Sequence, residues 1–145
     1  VSRHAEIADA VVAAINAVSA GQFTAVRKAR PKVNREKLDA AIVQVVPSTF
    51  ACEGADRGRK RAHYGIDVGI QKAIDPDNLT AFDGMHDWLA TIRAVFELQR
   101  LPGLTVAVWE RTETVAEGEA GYVTDHLDSL GIYTGILRFT FGVIE

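Results

Sequence analysis

The sequence predicts an α+β domain: an antiparallel or mixed β-sheet with two main helices packed on one face, plus an extended β-ribbon. Three observations carry that reading. Tyr64, Ile66, Val68 and Ile70 occupy every second position, and Tyr133, Leu137, Phe139, Phe141 and Val143 share one parity near the end of the chain. A period of two places such residues on one sheet face and leaves the intervening ones wet or partner-facing. Ile7, Val11, Ala14, Ile15 and Val18 recur instead at helical spacing, as do Met85, Trp88, Leu89, Ile92, Val95 and Phe96. The resulting order is helix, three strands, helix, two strands. Helices separated by runs of strands favour a segregated α+β arrangement over alternating parallel units.

The first helix has Glu6 and Asp9 near its positive end and Gly21 as its natural stop. Phe23 to Arg30 alternates as a basic strand that Pro31 ends, and Asn34 to Asp39 is polar enough for a short turn of helix. Ala41 to Val46 reads as a strand closed by Pro47, and residues 48–60 read as a loop without apolar periodicity. The alternating strand follows over 61–72. Asp75-Pro-Asp-Asn78 is a turn cluster. Thr80 with Asp83 suggests a cap for the second helix, which runs to about Arg100 before Pro102-Gly103 stops it. Thr105 to Val115 is β-prone, but both its faces turn polar after Trp109, so 109–119 is expected to extend past the core as a ribbon. Glu117-Gly-Glu-Ala-Gly121 is the acidic turn behind it, and Ile132 to Ile144 is the last strand.

At 145 residues the chain suits one domain, 1–145, able to bury roughly two-thirds of its unfolded surface. A hydrophobic share of 48% with net charge −3 argues against both a disordered tail and a strongly basic nucleic-acid protein, so any DNA contact must be local. The one cysteine, Cys52, rules out an internal disulfide and a cysteine-only metal site, as suits a reducing compartment. No run approaches the roughly 18 apolar residues of a membrane span. The N-terminal apolar stretch is interrupted by Glu6, Asp9 and Asn16, unlike a signal peptide.

Catalytic signatures are weak. There is no G-x-x-x-x-G-K-[ST], no G-x-G-x-x-G and no H-E-x-x-H. His4, His63, His86 and His126 are scattered without ligand spacing, although a site assembled from them in space stays open. Leu127-Asp-Ser-Leu-Gly131 approaches a serine nucleophile elbow, but Leu127 stands where the first glycine is required. Asp75-x-Asp77 opens like a calcium loop and lacks the later ligands. Glu110, Glu113, Glu117 and Glu119 fit a solvated ribbon better than acid–base chemistry, and no cofactor or metal is expected.

The basic stretch Asp56-Arg-Gly-Arg-Lys-Arg61 offers more. Arg57, Arg59, Lys60 and Arg61 suit phosphates or a partner's carboxylates, with Gly54 and Gly58 allowing movement. A long wet loop is also charged without any partner. The absence of interleaved aromatics weighs against single-stranded nucleic acid.

One arrangement spans nearly the whole chain. The helix from Ile7 to Ala20 precedes Phe23-Thr-Ala-Val-Arg-Lys-Ala-Arg-Pro31 and Ala41-Ile-Val-Gln-Val-Val-Pro47. A basic loop, Tyr64-Gly-Ile-Asp-Val-Gly-Ile70 and a helix carrying Trp88-Leu89 follow. The chain closes on Tyr122-Val-Thr-Asp-His-Leu-Asp-Ser-Leu-Gly131 and Ile132-Tyr-Thr-Gly-Ile-Leu-Arg-Phe-Thr-Phe141. In this it resembles the small tail-terminator or tail-completion proteins of tailed bacteriophages, head–tail neck components whose individual motifs are strand patterns rather than catalytic signatures.

The resemblance implies an α+β fold and a structural, non-enzymatic virion protein assembled in the host cytoplasm. It implies a homo-oligomeric ring, commonly a hexamer, that caps the tail tube protein and meets a head–neck connector protein. DNA passes through the lumen of such a ring without sequence-specific binding. No catalytic residue carries over. A closed ring uses two unlike patches per subunit, so the basic loop (Arg57, Arg59, Lys60, Arg61) and the acidic ribbon (Glu110, Glu113, Glu117, Glu119) are the expected subunit or partner interface. The alternatives are another neck or connector component, a host adaptor or scaffold, and a small metal-dependent α+β enzyme using His63, His86 or His126.

Overall fold

The computed structural model of the protein describes residues 2–19, 23–28, 41–75, 77–114 and 132–145. Its elements are α1 (Arg3–Val18), β1 (Phe23–Arg27), β2 (Ala41–Asp56), β3 (Arg59–Ala73), α2 (Leu79–Phe96), β4 (Val108–Thr114) and β5 (Ile132–Ile144). The strands form one open five-stranded sheet in the order β1-β2-β3-β5-β4. β1 pairs parallel with β2, and the other neighbours pair antiparallel. The sheet is mixed and the class is α+β.

Alternation decides where the core lies. Val45 faces Val68 and Val68 faces Leu137, while Ile66 faces Phe139 and Tyr64 faces Phe141. All are buried, and they join one cluster with Ile7, Val11 and Ile15 of α1 and Met85, Leu89, Ile92 and Phe96 of α2. Phe96 lies 5.1 Å from Phe139 and 6.0 Å from Phe141 between ring centroids. Burying a side chain of this size is worth about 1.5–3 kcal/mol, so a dozen of them dominate the stability of the fold.

The helices begin at side-chain caps. Ser2 Oγ accepts from the Ala5 amide at 3.2 Å, starting α1 ahead of the expected apolar stripe. Asn78, and not Thr80, caps α2, with Oδ1 accepting from the Ala81 amide at 3.2 Å. Asn and Thr both cap well, and here the residue nearer the turn reached the free N–H first. α2 ends at Phe96, short of Arg100, because the Gln99 amide donates back to the carbonyls of Ala94 and Val95. Leu98 then takes φ +62°, a left-handed conformation uncommon for leucine.

Two expectations on the strands are corrected. Residues 48–60 are not a loop: β2 continues through Pro47 to Asp56, and β3 starts at Arg59. Pro47 does not close the strand because it sits beyond the reach of β1, which pairs with β2 only as far as Val45. A proline on an unpaired edge forfeits no ladder bond. Behind it Ser48 and Thr49 together oppose Gly65, since Pro47 pairs with Ile66 and Phe50 with Tyr64. A Cβ at Gly65 would collide with Thr49 Oγ1, so the bulge needs glycine across from it. The stretch 109–119, expected to overhang, is over its described part the edge strand β4, hydrogen-bonded to β5. The expected turn of helix at 34–39, the stops at Gly21 and Pro31, the acidic turn at 117–121 and the segment 122–131 lie outside the described residues.

Candidate interaction site

The outer half of the β2–β3 hairpin stands clear of the core. Every residue from Ser48 to Arg61 is exposed. The tip is the two-residue turn Arg57-Gly58, and Gly58 supplies the positive φ (+83°) that its third position requires. Arg59 is tied back to Asp56, with Nη2–Oδ2 at 2.8 Å and Nε–Oδ1 at 3.1 Å. Arg57, Lys60 and Arg61 make no ion pair among the described residues, so the tip presents three uncommitted cations at the end of a paired β-hairpin.

The acidic residues expected to complement them are placed differently. Glu113 pairs with Arg111 of the same strand at 2.8 Å. Glu110 Oε1 lies 2.5 Å from His63 Nδ1, across the sheet on β3. Glu117 and Glu119 lie outside the described residues. The two acidic residues that are described are therefore engaged within the chain, and Glu110 belongs to a cluster that no sequence spacing announced.

That cluster is centred on His63. Its Nε2 lies 3.1 Å from Glu53 Oε1, so each ring nitrogen faces a carboxylate. The hydrogen bonds to Glu110 and Glu53 raise the His63 pKa above its usual 6.5, against a smaller desolvation effect. Beside the cluster, Ala51, His63, Glu110, Arg111 and Thr140 line a hollow of about 290 Å³. Farther along the same face Arg138 donates through Nε and Nη2 to Asp67 at 2.7 and 3.2 Å, and Ser48 Oγ donates to Asp67 at 3.0 Å. These polar residues lie on β2, β3, β4 and β5, on the face opposite the core.

The histidines do not converge. His63 stands on the polar face, whereas His86 meets Phe82 and Tyr133 edge-to-face on the core side, 3.2 Å from the Tyr133 hydroxyl. His4 Nε2 donates to the Gly65 carbonyl at 2.9 Å. One ion cannot be held jointly by His63 and His86 through the sheet, and His126 lies outside the described residues. Among the described residues no group of three or more His, Cys, Asp or Glu could hold a metal. Among the described residues no helix is long and apolar enough to cross a membrane.

Both sides of the sheet leave strand edge unpaired among the described residues. On one side β2 has no neighbour from Val46 to Asp56, because β1 and the Lys28 amide bond to the Val45 carbonyl stop there. On the other, Gln99 to Leu101 covers β4 only at its start: Leu101 N–H donates to the Ala107 carbonyl at 2.9 Å and Trp109 N–H to Gln99 at 3.2 Å. Glu110 to Thr114 is left open. No model of a known protein family matches the chain, and no curated protein is similar to it in sequence.

Proposed function

We propose that the protein is a structural subunit that joins copies of itself head to tail into a closed ring, capping a phage tail tube and linking it to the head–neck. The observation that supports this most is the pair of unlike strand edges left unpaired among the described residues, β2 beyond Val45 and β4 beyond Trp109, on opposite sides of one sheet. An unpaired edge is a template for another strand, and a rotationally closed assembly needs two different complementary patches on each subunit. A single self-complementary patch would give a dimer instead.

In this reading the hairpin tip gives the contact its register. Arg57, Lys60 and Arg61 meet carboxylates of the neighbouring copy, or of the tube or connector protein, and set partner choice more than raw affinity. DNA in the lumen is the weaker occupant, because a channel that lets DNA slide gains nothing from strong phosphate contacts. The chemistry the fold performs is then assembly and not turnover.

The test is the mass of the purified protein by light scattering over a range of concentration and salt. A discrete ring, or a monomer that closes into one when tail tubes are added, is the expected result. High salt should loosen it, since exposed charges separated by more than about 8 Å are screened at physiological ionic strength. A monomer indifferent to tubes at every salt concentration overturns the proposal.

A further inference from the structure

We propose that Glu53, His63 and Glu110 form a proton-dependent clasp that fastens the β2–β3 hairpin to the edge strand β4 across the intervening β5. This inference does not depend on the ring, and its test uses the isolated chain.

The three residues come from β2, β3 and β4, and β5 separates the last two. Two local features bring Glu110 over that gap. Trp109 pairs with Phe141 and Arg111 with Thr140, so Glu110 is the extra residue of a β-bulge, a device that re-aims a side chain. The β5 residue it must pass is Gly142, which pairs with His63 on one side and Val108 on the other. A Cβ at position 142 would stand 2.8 Å from Glu110 Cδ and Oε1. Glycine there is a notch through which the carboxylate reaches the imidazole.

The clasp is complete only in one protonation state. An ionised carboxylate accepts hydrogen bonds and cannot donate, so both ring nitrogens of His63 must carry a proton to satisfy Glu53 and Glu110 together. The neutral ring keeps one bond and turns a lone pair toward the other carboxylate. Other charges nearby are Arg61 of β3, which faces Glu53 across the ladder, and Arg111 of β4, which is held by Glu113. Both disfavour the imidazolium. Thr140 and Gly142 of β5 and Ala51 of β2 carry no charge. The two carboxylates in direct contact outweigh the two arginines, in line with the raised pKa of His63. Losing the proton loosens the tie between the outer arm of the hairpin and β4.

The test combines an NMR titration of His63 in the intact chain with amide-exchange protection of 50–60 and 110–114, corrected for the intrinsic pH dependence of exchange. His63 should titrate above 6.5, and protection in both segments should fall as the pH rises through that titration. Glu110→Gln should lower the midpoint by roughly half to one pH unit, since one opposite charge is lost at a partly solvated site. Gly142→Ala should lower it similarly while removing no charge, because the new methyl displaces Glu110. A His63 that titrates at or below 6.5 overturns the clasp. So does protection that ignores the titration, or a midpoint unmoved by Glu110→Gln. If Gly142→Ala does not fold, the Glu110→Gln midpoint decides alone.

Discussion

The two faces of this sheet share five strands and are organised on opposite principles. One face is apolar and continuous with the buried sides of α1 and α2. The other holds the buried polar residues Gln44, Gln71, Thr134 and Thr140, together with the Asp67–Arg138 and Glu53–His63–Glu110 contacts. Apolar contact is non-directional and roughly proportional to area, so the first face supplies stability and tolerates small shifts. Hydrogen-bonded ion pairs form only at one geometry. Asp67 and Arg138 are direct partners in the β3–β5 ladder, and slipping β5 by one residue would carry Arg138 to the apolar face, away from Asp67. The second face therefore specifies alignment and presents the surface, while the first keeps the chain folded.

The largest effect should follow from breaking the apolar face. Phe139 is fully buried against Phe96, and Phe139→Ala should cost about 3–5 kcal/mol in chemical denaturation. On the polar face Asp67→Asn should cost about 1–3 kcal/mol, since it leaves Arg138 facing an uncharged partner. Adding Arg138→Met should recover part of that loss, because removing both charges spares the penalty of the orphaned one. A polar face as costly to break as the core, with no recovery in the double variant, would erase the distinction. Gly65→Ala tests the junction between the shared sheet and the free hairpin. It should cost about 1–3 kcal/mol by overpacking, and Thr49→Ala should relieve it non-additively, since the two positions touch.

Tyr64 gives a smaller effect with a defined pH window. Burial first, and then the hydrogen bond its hydroxyl donates to Glu145 Oε1 at 2.9 Å, push its pKa up to about 12 from 10.0. The folded state holds the phenol proton more tightly than the unfolded chain does. Its contribution is therefore complete below pH 10.0 and is lost as the pH rises toward about 12. Tyr64→Phe should cost about 1 kcal/mol near neutral pH and flatten that alkaline decline in a denaturation series.

The apolar face was legible in the sequence and the polar face was not. Tyr64, Ile66, Val68 and Ile70 alternate because one side of β3 is buried, and the helical stripes of α1 and α2 announce themselves by the same logic. Periodicity reports burial rather than strand geometry. The outer half of β2 is wet on both faces, so 48–56 carried no alternation and read as a loop. Four neighbouring basic residues were visible as a cluster, but their presentation on and beside a two-residue hairpin turn was not. The His63 cluster was hidden for a further reason. Its members are 10 and 47 residues from the histidine, and their meeting depends on the bulge at Glu110 and the notch at Gly142. Neither feature has a spacing that a single sequence displays.

The hairpin tip should give the smallest effect on stability and the sharpest separation of the two roles. Arg57 and Lys60 are exposed and make no ion pair among the described residues. Surface substitutions of that kind usually stay within about 0.5 kcal/mol, so Arg57→Glu with Lys60→Glu should leave the denaturation midpoint almost unchanged. Arg59 is better left alone in this variant, because its bond to Asp56 stiffens the turn and its loss would mix folding with recognition. Light scattering should nevertheless report a loss of assembly, or of association with tail tubes, in the doubly reversed chain. Native stability with native assembly would remove the tip from the interface and move attention to the free edges of β2 and β4. Native stability with lost assembly would show that the surface this fold presents is encoded in residues that contribute almost nothing to holding it together.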